Sequence, residues 1–133
     1  MPKYTPASLN ILLIEDDPED VELFTQSLED YKIDHHIIAL VTDGVKAVEY
    51  LKKGESLPDL IVMDLNLPLL HGKELLLHIK KSPLRNIPLV VLTTSSSQLD
   101  KSYVLSNGAN KFITKPSSLS EISGMVSDIM ELF

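Results

Sequence analysis

Five short apolar runs recur along the chain at a steady interval, and the stretches between them have helical spacing. The runs are continuous rather than alternating, which is typical of strands covered by helices on both faces. Strand–helix alternation repeated five times predicts an α/β fold, (βα)5, with a doubly wound parallel sheet and right-handed crossovers. The strand order 2-1-3-4-5 is the leading topology. The runs lie at residues 9–14, 37–41, 60–63, 89–92 and 112–114.

Helix signals fill the gaps between these runs. Asp17, which precedes a proline, and Asp43 are typical N-caps, and Gly54 is expected to end the second helix. The last helix opens with a capping box, Ser118 to Glu121. The third and fourth helices are predicted at about 72–81 and 98–107. The five apolar stripes, in chain order, are Val21, Phe24, Leu28 and Tyr31; Val45, Val48 and Leu51; Leu75, Leu76 and Ile79; Leu99, Tyr103 and Val104; and Ile122, Met125, Val126, Ile129, Met130 and Phe133.

The composition fits one globular domain, with 44% hydrophobic and 23% charged residues in a chain of 133. We expect residues 1–8 to form a loose arm and residues 9–133 to form a single domain. The formal net charge of -7 argues against a nucleic-acid surface, which needs a basic face. The absence of cysteine excludes thiolate chemistry and fits a cytoplasmic protein. No segment approaches the ~20 apolar residues of a membrane span, and the N-terminus does not resemble a signal peptide.

Polar residues follow four of the five predicted strands: Glu15-Asp16-Asp17, Asp64, Thr93-Thr94 and Lys115-Pro116. In a parallel sheet these ends lie on one edge. Ligands bind there in the crevice where neighbouring strands send their helices to opposite faces. With the order 2-1-3-4-5, that crevice lies between the first and third strands, so Glu15, Asp16 and Asp64 are expected to converge on it.

Three carboxylates this close cannot all stay ionised without compensation, and a divalent cation is the natural compensation. Oxygen ligands favour a hard ion, so Mg²⁺ is expected, with Mn²⁺ as a substitute. The tight turn after Asp64 can aim the backbone carbonyl of Asn66 at the same ion. Lys115 brings a positive charge from the far side, and Thr93 brings a hydroxyl donor.

This set of groups suits a phosphoryl group, with Asp64 as the nucleophile that becomes an aspartyl phosphate. Each signal alone has an ordinary explanation: Asp17 and Asp43 are caps, Thr93 is a strand residue and Lys115 belongs to a solvated turn. Four strand ends with suitable chemistry in the right order favour a single site formed by all of these residues.

The four histidines are not assigned to the metal site, because no paired spacing suggests one. His35, His36 and His78 are expected at the surface. His71 lies in the loop after Asp64 and is also expected to have no role in the site.

Four stretches of the chain, running from about residue 9 to its end, resemble the response-regulator receiver domains of two-component signalling. They are ILLIEDDPED at 11–20, PDLIVMDLNLP at 58–68, IPLVVLTTS at 87–95 and GANKFITKP at 108–116. The resemblance implies a flavodoxin-like receiver fold. It also implies roles for Glu15 and Asp16 as the acidic pair, Asp64 as the phosphoacceptor, and Asn66 as the source of a main-chain oxygen for the metal.

The same resemblance implies a switch beside the phosphoacceptor. Thr93 matches the hydroxyl switch residue, Phe112 the aromatic switch position and Lys115 the phosphate-binding lysine. Thr94 and Ser95 flank the site, where they are expected to tune the rate of hydrolysis. The Lys-Pro bond of the family is typically cis, so Lys115–Pro116 is expected to be cis.

The resemblance implies a stand-alone receiver rather than an enzyme with turnover on other molecules. A sensor histidine kinase or histidine phosphotransfer protein would phosphorylate Asp64, and the surface of helix four, strand five and helix five would then change. No residues remain for an output domain, so the chain is expected to act through a partner or to pass the phosphoryl group on. DLNLP, IPLVVLTTS and KSPLRNIP resemble receivers that partner bacterial phytochromes. A homodimer through helices four and five is a hypothesis.

Two other classes compete with this interpretation. A hydrolase that forms an aspartyl phosphate usually has a second Asp two residues after the nucleophile, and this chain has Asn66 there. A flavodoxin-type domain needs a Ser-, Thr- and Gly-rich loop after the first strand to cradle the flavin phosphate. The acidic residues 15–17 would repel that phosphate.

Overall fold

Five strands and five helices alternate in the structure, a computed structural model that describes residues 7–53 and 56–133. The predicted alternation is therefore confirmed. The predicted arm lies outside the described residues except for 7 and 8, and so does the helix end expected at Gly54. The strands are β1 (Leu9–Ile14), β2 (His35–Val41), β3 (Leu60–Met63), β4 (Leu89–Thr93) and β5 (Lys111–Thr114). The helices are α1 (Pro18–Asp30), α2 (Gly44–Lys53), α3 (Gly72–Lys80), α4 (Gln98–Ser106) and α5 (Leu119–Met130).

The strands form one parallel sheet in the order β2-β1-β3-β4-β5, which confirms the predicted topology. β3 lies in the middle, and its four residues are at most 1% exposed. Because all five strands point the same way, their carboxyl ends meet at one edge of the sheet. Among the described residues, no helix has the length and apolar character that a membrane span requires.

Continuous apolar strands are explained by cores on both faces of the sheet. Leu12 and Ile14 of β1 face the core beneath α2, α3 and α4, which includes Leu75 and Val104. The alternate residues of β1 face a second core beneath α1 and α5, which includes Phe24. Successive side chains of a strand point to opposite faces, so each central strand needs apolar residues at every position.

The helix starts confirm some of the N-caps that the sequence predicts. The Asp17 side chain accepts the N–H of Glu19 at 2.9 Å, and the Asp43 side chain accepts the N–H of Lys46 at 2.7 Å. The capping box of α5 is half formed: Ser118 Oγ accepts the N–H of Glu121 at 3.2 Å, whereas the Glu121 carboxylate binds Ser117. Two caps were missed, His71 on α3 and Ser97 on α4. His71 Nδ1 accepts the N–H of Lys73 at 3.1 Å.

Some local predictions are wrong. The Lys115–Pro116 bond, expected to be cis, is trans, since the described residues include no cis peptide bond. An X–Pro bond favours trans by about 0.5–1 kcal/mol unless its surroundings impose the other form. Three residues assigned to apolar stripes are exposed, and each lies within a turn of a helix end. They are Tyr31 at 44%, Val45 at 43% and Leu99 at 81%.

Gly72 brings the start of α3 against the end of β3, and this contact leaves no room for a side chain. A Cβ at Gly72 would lie 2.6 Å from the carbonyl oxygen of Asp64 and 2.6 Å from the Cα of Leu65. Both atoms belong to the backbone, which cannot rotate away. We expect Gly72→Ala to lower the free energy of unfolding by about 1–3 kcal/mol, as overpacked sites do, in urea denaturation followed by circular dichroism.

Gly124→Ala is the matched control for this substitution. Gly124 lies within α5, and a Cβ there would meet nothing within 4 Å. Alanine in an exposed helix interior stabilises by roughly 0.5–1 kcal/mol relative to glycine. The two substitutions should therefore change the free energy of unfolding in opposite directions. Equal free energies of unfolding for the wild type and Gly72→Ala would contradict the packing argument.

Candidate functional site

The register of β1 and β3 places Glu15 and Asp64 side by side at the carboxyl edge of the sheet. Ile14 pairs with Met63, so the next residue of each strand leaves the sheet at the same level. The N–H of Asp64 donates to the carbonyl oxygen of Ile14 at 3.0 Å. Glu15 is 5% exposed and Asp64 is 6% exposed. Two nearly buried carboxylates therefore share the crevice that the topology predicts.

Lys115 places its ammonium group between these carboxylates. Its Nζ lies 2.8 Å from Glu15 Oε1 and 3.1 Å from Asp64 Oδ2. The backbone supports this position, because the N–H of Lys115 donates to the carbonyl oxygen of Thr93 at 2.7 Å. The strand ends of β1, β3 and β5 thus meet through side chains, as the sequence predicts.

Asp20 also binds this ammonium, and the sequence analysis missed it. Asp20 lies in the first turn of α1, and its Oδ2 is 2.6 Å from Lys115 Nζ. The available signal was the position of α1, which starts directly after the acidic residues that end β1. Acidic residues at a helix start have an ordinary explanation in the helix dipole, so the residue type alone gives no pointer to Lys115.

Backbone N–H groups hold the two inner carboxylates. Glu15 Oε2 accepts the N–H of Asp16 at 3.1 Å and that of Asp17 at 3.3 Å. Asp64 Oδ1 accepts the N–H of Leu65 at 2.7 Å. Such bonds stabilise the ionised form of a carboxylate and fix its direction. Each inner carboxylate therefore has one oxygen on the backbone and the other on Lys115.

The pKa values of Glu15 and Lys115 show that the negative charge of the crevice is only partly balanced. Burial raises the pKa of Glu15 above its usual value, and the charge of Asp64 raises it further, against the hydrogen bond from Lys115. Burial acts to lower the pKa of Lys115, but hydrogen bonds to Asp20, Glu15 and Asp64 outweigh it and raise that pKa. The lysine is thus a fixed cation at neutral pH, and the crevice still favours further positive charge.

Glu15, Asp16 and Asp64 can together hold a metal ion. Each offers a carboxylate oxygen, and these three oxygens lie within 4.8 Å of one another. Asp16 is exposed, so an ion has access from solvent. With Asp20, the crevice holds four carboxylates and one ammonium, and a divalent cation would offset most of the remaining negative charge. The all-oxygen donor set fits a hard divalent ion.

Thr93 ends β4 at the side of the crevice and is fully buried. Its hydroxyl oxygen accepts the N–H of Ser95 at 3.4 Å. Thr94 is exposed. Phe112 lies on β5 opposite Val91 and packs, half-buried, against the core beneath α2, α3 and α4. Thr93 and Phe112 are thus on adjacent strands, as the predicted switch requires.

Asn66 follows Asp64 closely, and its N–H approaches Asp64 Oδ1 at 3.5 Å. Its side chain is exposed. The turn therefore carries its backbone past the carboxylate, which is consistent with a main-chain oxygen near the metal ligands.

Ser95 joins β4 to α4 and β5, a role beyond its predicted position beside the site. Its hydroxyl donates to Asp100 Oδ2 at 2.6 Å, and its carbonyl oxygen accepts the Thr114 hydroxyl at 3.0 Å. Asp100 Oδ1 in turn binds Lys73 Nζ of α3 at 2.6 Å. Hydrogen bonds from Lys73 and then Ser95 lower the pKa of Asp100. A polar chain thus runs from the crevice to α4 and α3.

Comparisons with known proteins agree with this arrangement. The family model of the response regulator receiver domain matches residues 11–127. The chain is 40% identical over 125 residues to the response regulator Rcp1 of Synechocystis sp., covering 90% of this chain and 84% of Rcp1. It is 39% identical over 126 residues to the probable methanogenesis regulatory protein FilR2 of Methanothrix harundinacea, covering 91% and 81% of the two chains.

Solved structures show the same likeness. The phosphorylated cyanobacterial phytochrome response regulator RcpA superposes with a TM-score of 0.80 at 37% identity, covering 94% of this chain and 93% of RcpA. The Mn²⁺-bound form of Rcp1 gives 0.78 at 36% identity, covering 95% and 93%. The predicted resemblance is confirmed, and this chain belongs to the response regulator receiver domain family, the phosphoacceptor switches of two-component signalling.

Proposed function

We propose that this receiver domain, residues 9–133, accepts a phosphoryl group on Asp64 from a phosphohistidine and signals through the surface of α4, β5 and α5. The observation that carries the proposal is the 3.1 Å approach of Lys115 Nζ to Asp64 Oδ2 within a cluster of acidic side chains. The donor is a sensor histidine kinase or a histidine phosphotransfer protein. The likeness to RcpA, described as a phytochrome response regulator, supports a phytochrome-type kinase.

In the transfer step, one carboxylate oxygen of Asp64 attacks phosphorus in line, and the P–N bond of the phosphohistidine breaks. The electron pair of that bond returns to the ring nitrogen, and protonation of the other ring nitrogen makes the leaving group neutral imidazole. Lys115 donates to a phosphoryl oxygen, and the Thr93 hydroxyl donates to another. Water later attacks phosphorus, the acyl P–O bond breaks, and inorganic phosphate leaves Asp64 as a carboxylate.

Glu15, Asp16 and Asp64, with the carbonyl oxygen of Asn66, would hold a divalent ion, and we propose Mg²⁺, with Mn²⁺ as a substitute. When bound, this ion would supply positive charge that neutralises the phosphoryl oxygens. The buried acid Glu15, whose pKa is raised, supports this assignment, because its ionised form lacks sufficient compensation from Lys115 alone.

The switch follows from the position of Thr93. If its hydroxyl turns to a phosphoryl oxygen, the N–H of Ser95 loses its acceptor and the Ser95–Asp100 contact must adjust. α4 would then shift against α3, and Phe112 would move into the space beside Thr93. A local change in charge thereby biases an element with two arrangements. Thr94 and Ser95 flank the phosphoryl group and would tune its hydrolysis.

Acetyl phosphate tests the phosphoacceptor. We expect incubation with Mg²⁺ and acetyl phosphate to add one phosphoryl group, measured by intact mass, because Asp64 can displace acetate as it displaces imidazole. Asp64→Asn should gain none, and chelation of the metal should abolish the gain. Asp34→Asn, an exposed acid before β2, is the control and should be labelled like the wild type. Labelling that persists in Asp64→Asn would place the acceptor elsewhere.

Metal binding should raise thermal stability, because an ion bound only to the folded state stabilises it by about 2.7 kcal/mol at a hundred times its Kd. We expect Mg²⁺ to raise the thermal midpoint of the wild type and of Asp34→Asn, and to raise that of Asp16→Asn much less. Without metal, Asp16→Asn should not lower the midpoint, since it removes repulsion within the cluster. Calorimetry with and without Mg²⁺ measures both effects, and equal shifts in all three proteins would disprove the ligand set.

A further inference from the structure

The shortest contact of the Lys115 ammonium is with Asp20, at 2.6 Å, rather than with Glu15 at 2.8 Å or Asp64 at 3.1 Å. An ammonium group has three N–H donors. Three carboxylate oxygens, from the end of β1, the first turn of α1 and the end of β3, match these donors one to one. The direction in which Lys115 presents its charge to Asp64 is therefore set jointly by Glu15 and Asp20.

A role in the helix dipole does not account for Asp20. Glu19 is the neighbouring acid in the same turn, is exposed and makes no side-chain contact with Lys115. It supplies negative charge to the start of α1 without reaching the crevice. Asp20 by contrast is 27% exposed in its side chain and reaches a lysine that is 9% exposed. A buried cation held by an acid at the solvent edge is a specific contact, whereas exposed charge pairs contribute little.

Among residues 7–53 and 56–133, the surroundings of the pair offer Lys115 no other polar partner on the α1 side. A cavity of about 10 Å³ lies against Asp20 and Lys115, with room for about one water molecule. Apart from those two residues its lining is apolar: Leu23, Phe24, Leu92, Pro116 and Met125. Without the Asp20 carboxylate, the ammonium would keep its contacts with Glu15 and Asp64, but its third N–H would face this apolar lining or a water molecule in the cavity, and its orientation would be less well defined.

We propose that Asp20 is a positioning residue for the phosphoryl transfer, an inference that rests on the proposed function of Asp64. Asp20 and Glu15 hold two N–H groups of Lys115, so the third points at the oxygen of Asp64. When Asp64 becomes the acyl phosphate, that third N–H turns to a phosphoryl oxygen while the other two contacts persist. Asp20 thereby fixes the lysine before the reaction begins, so that no reorientation is needed during transfer.

The kinetic test compares Asp20→Ala and Asp20→Asn with the wild type, and uses Glu19→Ala as the matched control. The rate of phosphorylation is measured by intact mass over a range of acetyl phosphate concentrations at saturating Mg²⁺. We expect Asp20→Ala to lower the maximal rate about tenfold, with little change in the half-saturating concentration, because misplaced groups cost rate rather than binding. Asp20→Asn should recover most of the rate, since its amide oxygen can accept the same hydrogen bond. Glu19→Ala should match the wild type.

A spectroscopic test detects the contact between Asp20 and Lys115 without any phosphorylation. In ¹⁵N-labelled protein, the ammonium of Lys115 should give a slowly exchanging side-chain signal, assigned by its loss in Lys115→Met. We expect this signal in the wild type and in Glu19→Ala, and we expect it to broaden or shift strongly in Asp20→Ala.

The results separate the positioning role from its alternatives. A wild-type or faster maximal rate in Asp20→Ala would overturn the proposal, and so would an ammonium signal unchanged by that substitution. A slow Asp20→Asn protein with an intact ammonium signal would also overturn it, because Lys115 would then be held in place without restoring the rate of phosphorylation. A wild-type protein that takes up no phosphoryl group on Asp64 would instead refute the proposed function itself, together with the role of Asp20.

Discussion

The structure of the crevice depends on one constraint, the gathering of like charges at the carboxyl edge of the sheet. Three carboxylates contact one ammonium and a fourth, Asp16, lies beside them; the two innermost, Glu15 and Asp64, are nearly buried. Burial of an unpaired carboxylate is strongly unfavourable. The fold meets this cost with backbone N–H donors on one oxygen of each inner acid and with Lys115 on the other. What remains is a deficit of positive charge, which an incoming cation can reduce.

The close packing of the fold beneath the site meets this constraint. β3 is covered on both faces and ends at Asp64, and Gly72 lets α3 begin in direct contact with the backbone of the same residue. A carboxylate on a mobile loop would relax away from its neighbours, since like charges repel. Strand ends held by two cores prevent that relaxation. The outer acids, Asp16 and Asp20, have greater exposure and can adjust to the ions or groups that enter.

The sequence was sufficient to predict the strands and most of the crevice, because these follow from apolar runs and from the residue that ends each run. The strand order was predicted from the precedent of doubly wound folds. The same reasoning could not find Asp20, whose contact depends on the rotation of α1 about its axis and spans 95 positions of sequence. The His71 cap was missed because histidine is an uncommon N-cap, and the Ser97 cap because neighbouring serines offered equal candidates. The trans Lys115–Pro116 bond depends on a free-energy difference too small for sequence to fix.

The balance between apolar and polar contacts makes α4 the helix best suited to move. Val104 is the buried residue among the nine of α4, whereas α3 buries Gly72, Leu75, Leu76 and Ile79. The start of α4 is tied down by polar contacts instead, from Asp100 to Ser95 and to Lys73. A hydrogen bond to a charged group contributes about 1.5–3 kcal/mol net, and an exposed ion pair contributes about 0–1 kcal/mol. Under the proposed function, rotation of the Thr93 hydroxyl toward a phosphoryl oxygen would release the N–H of Ser95 and disturb the Ser95–Asp100 contact, and a helix held by so few apolar contacts could follow.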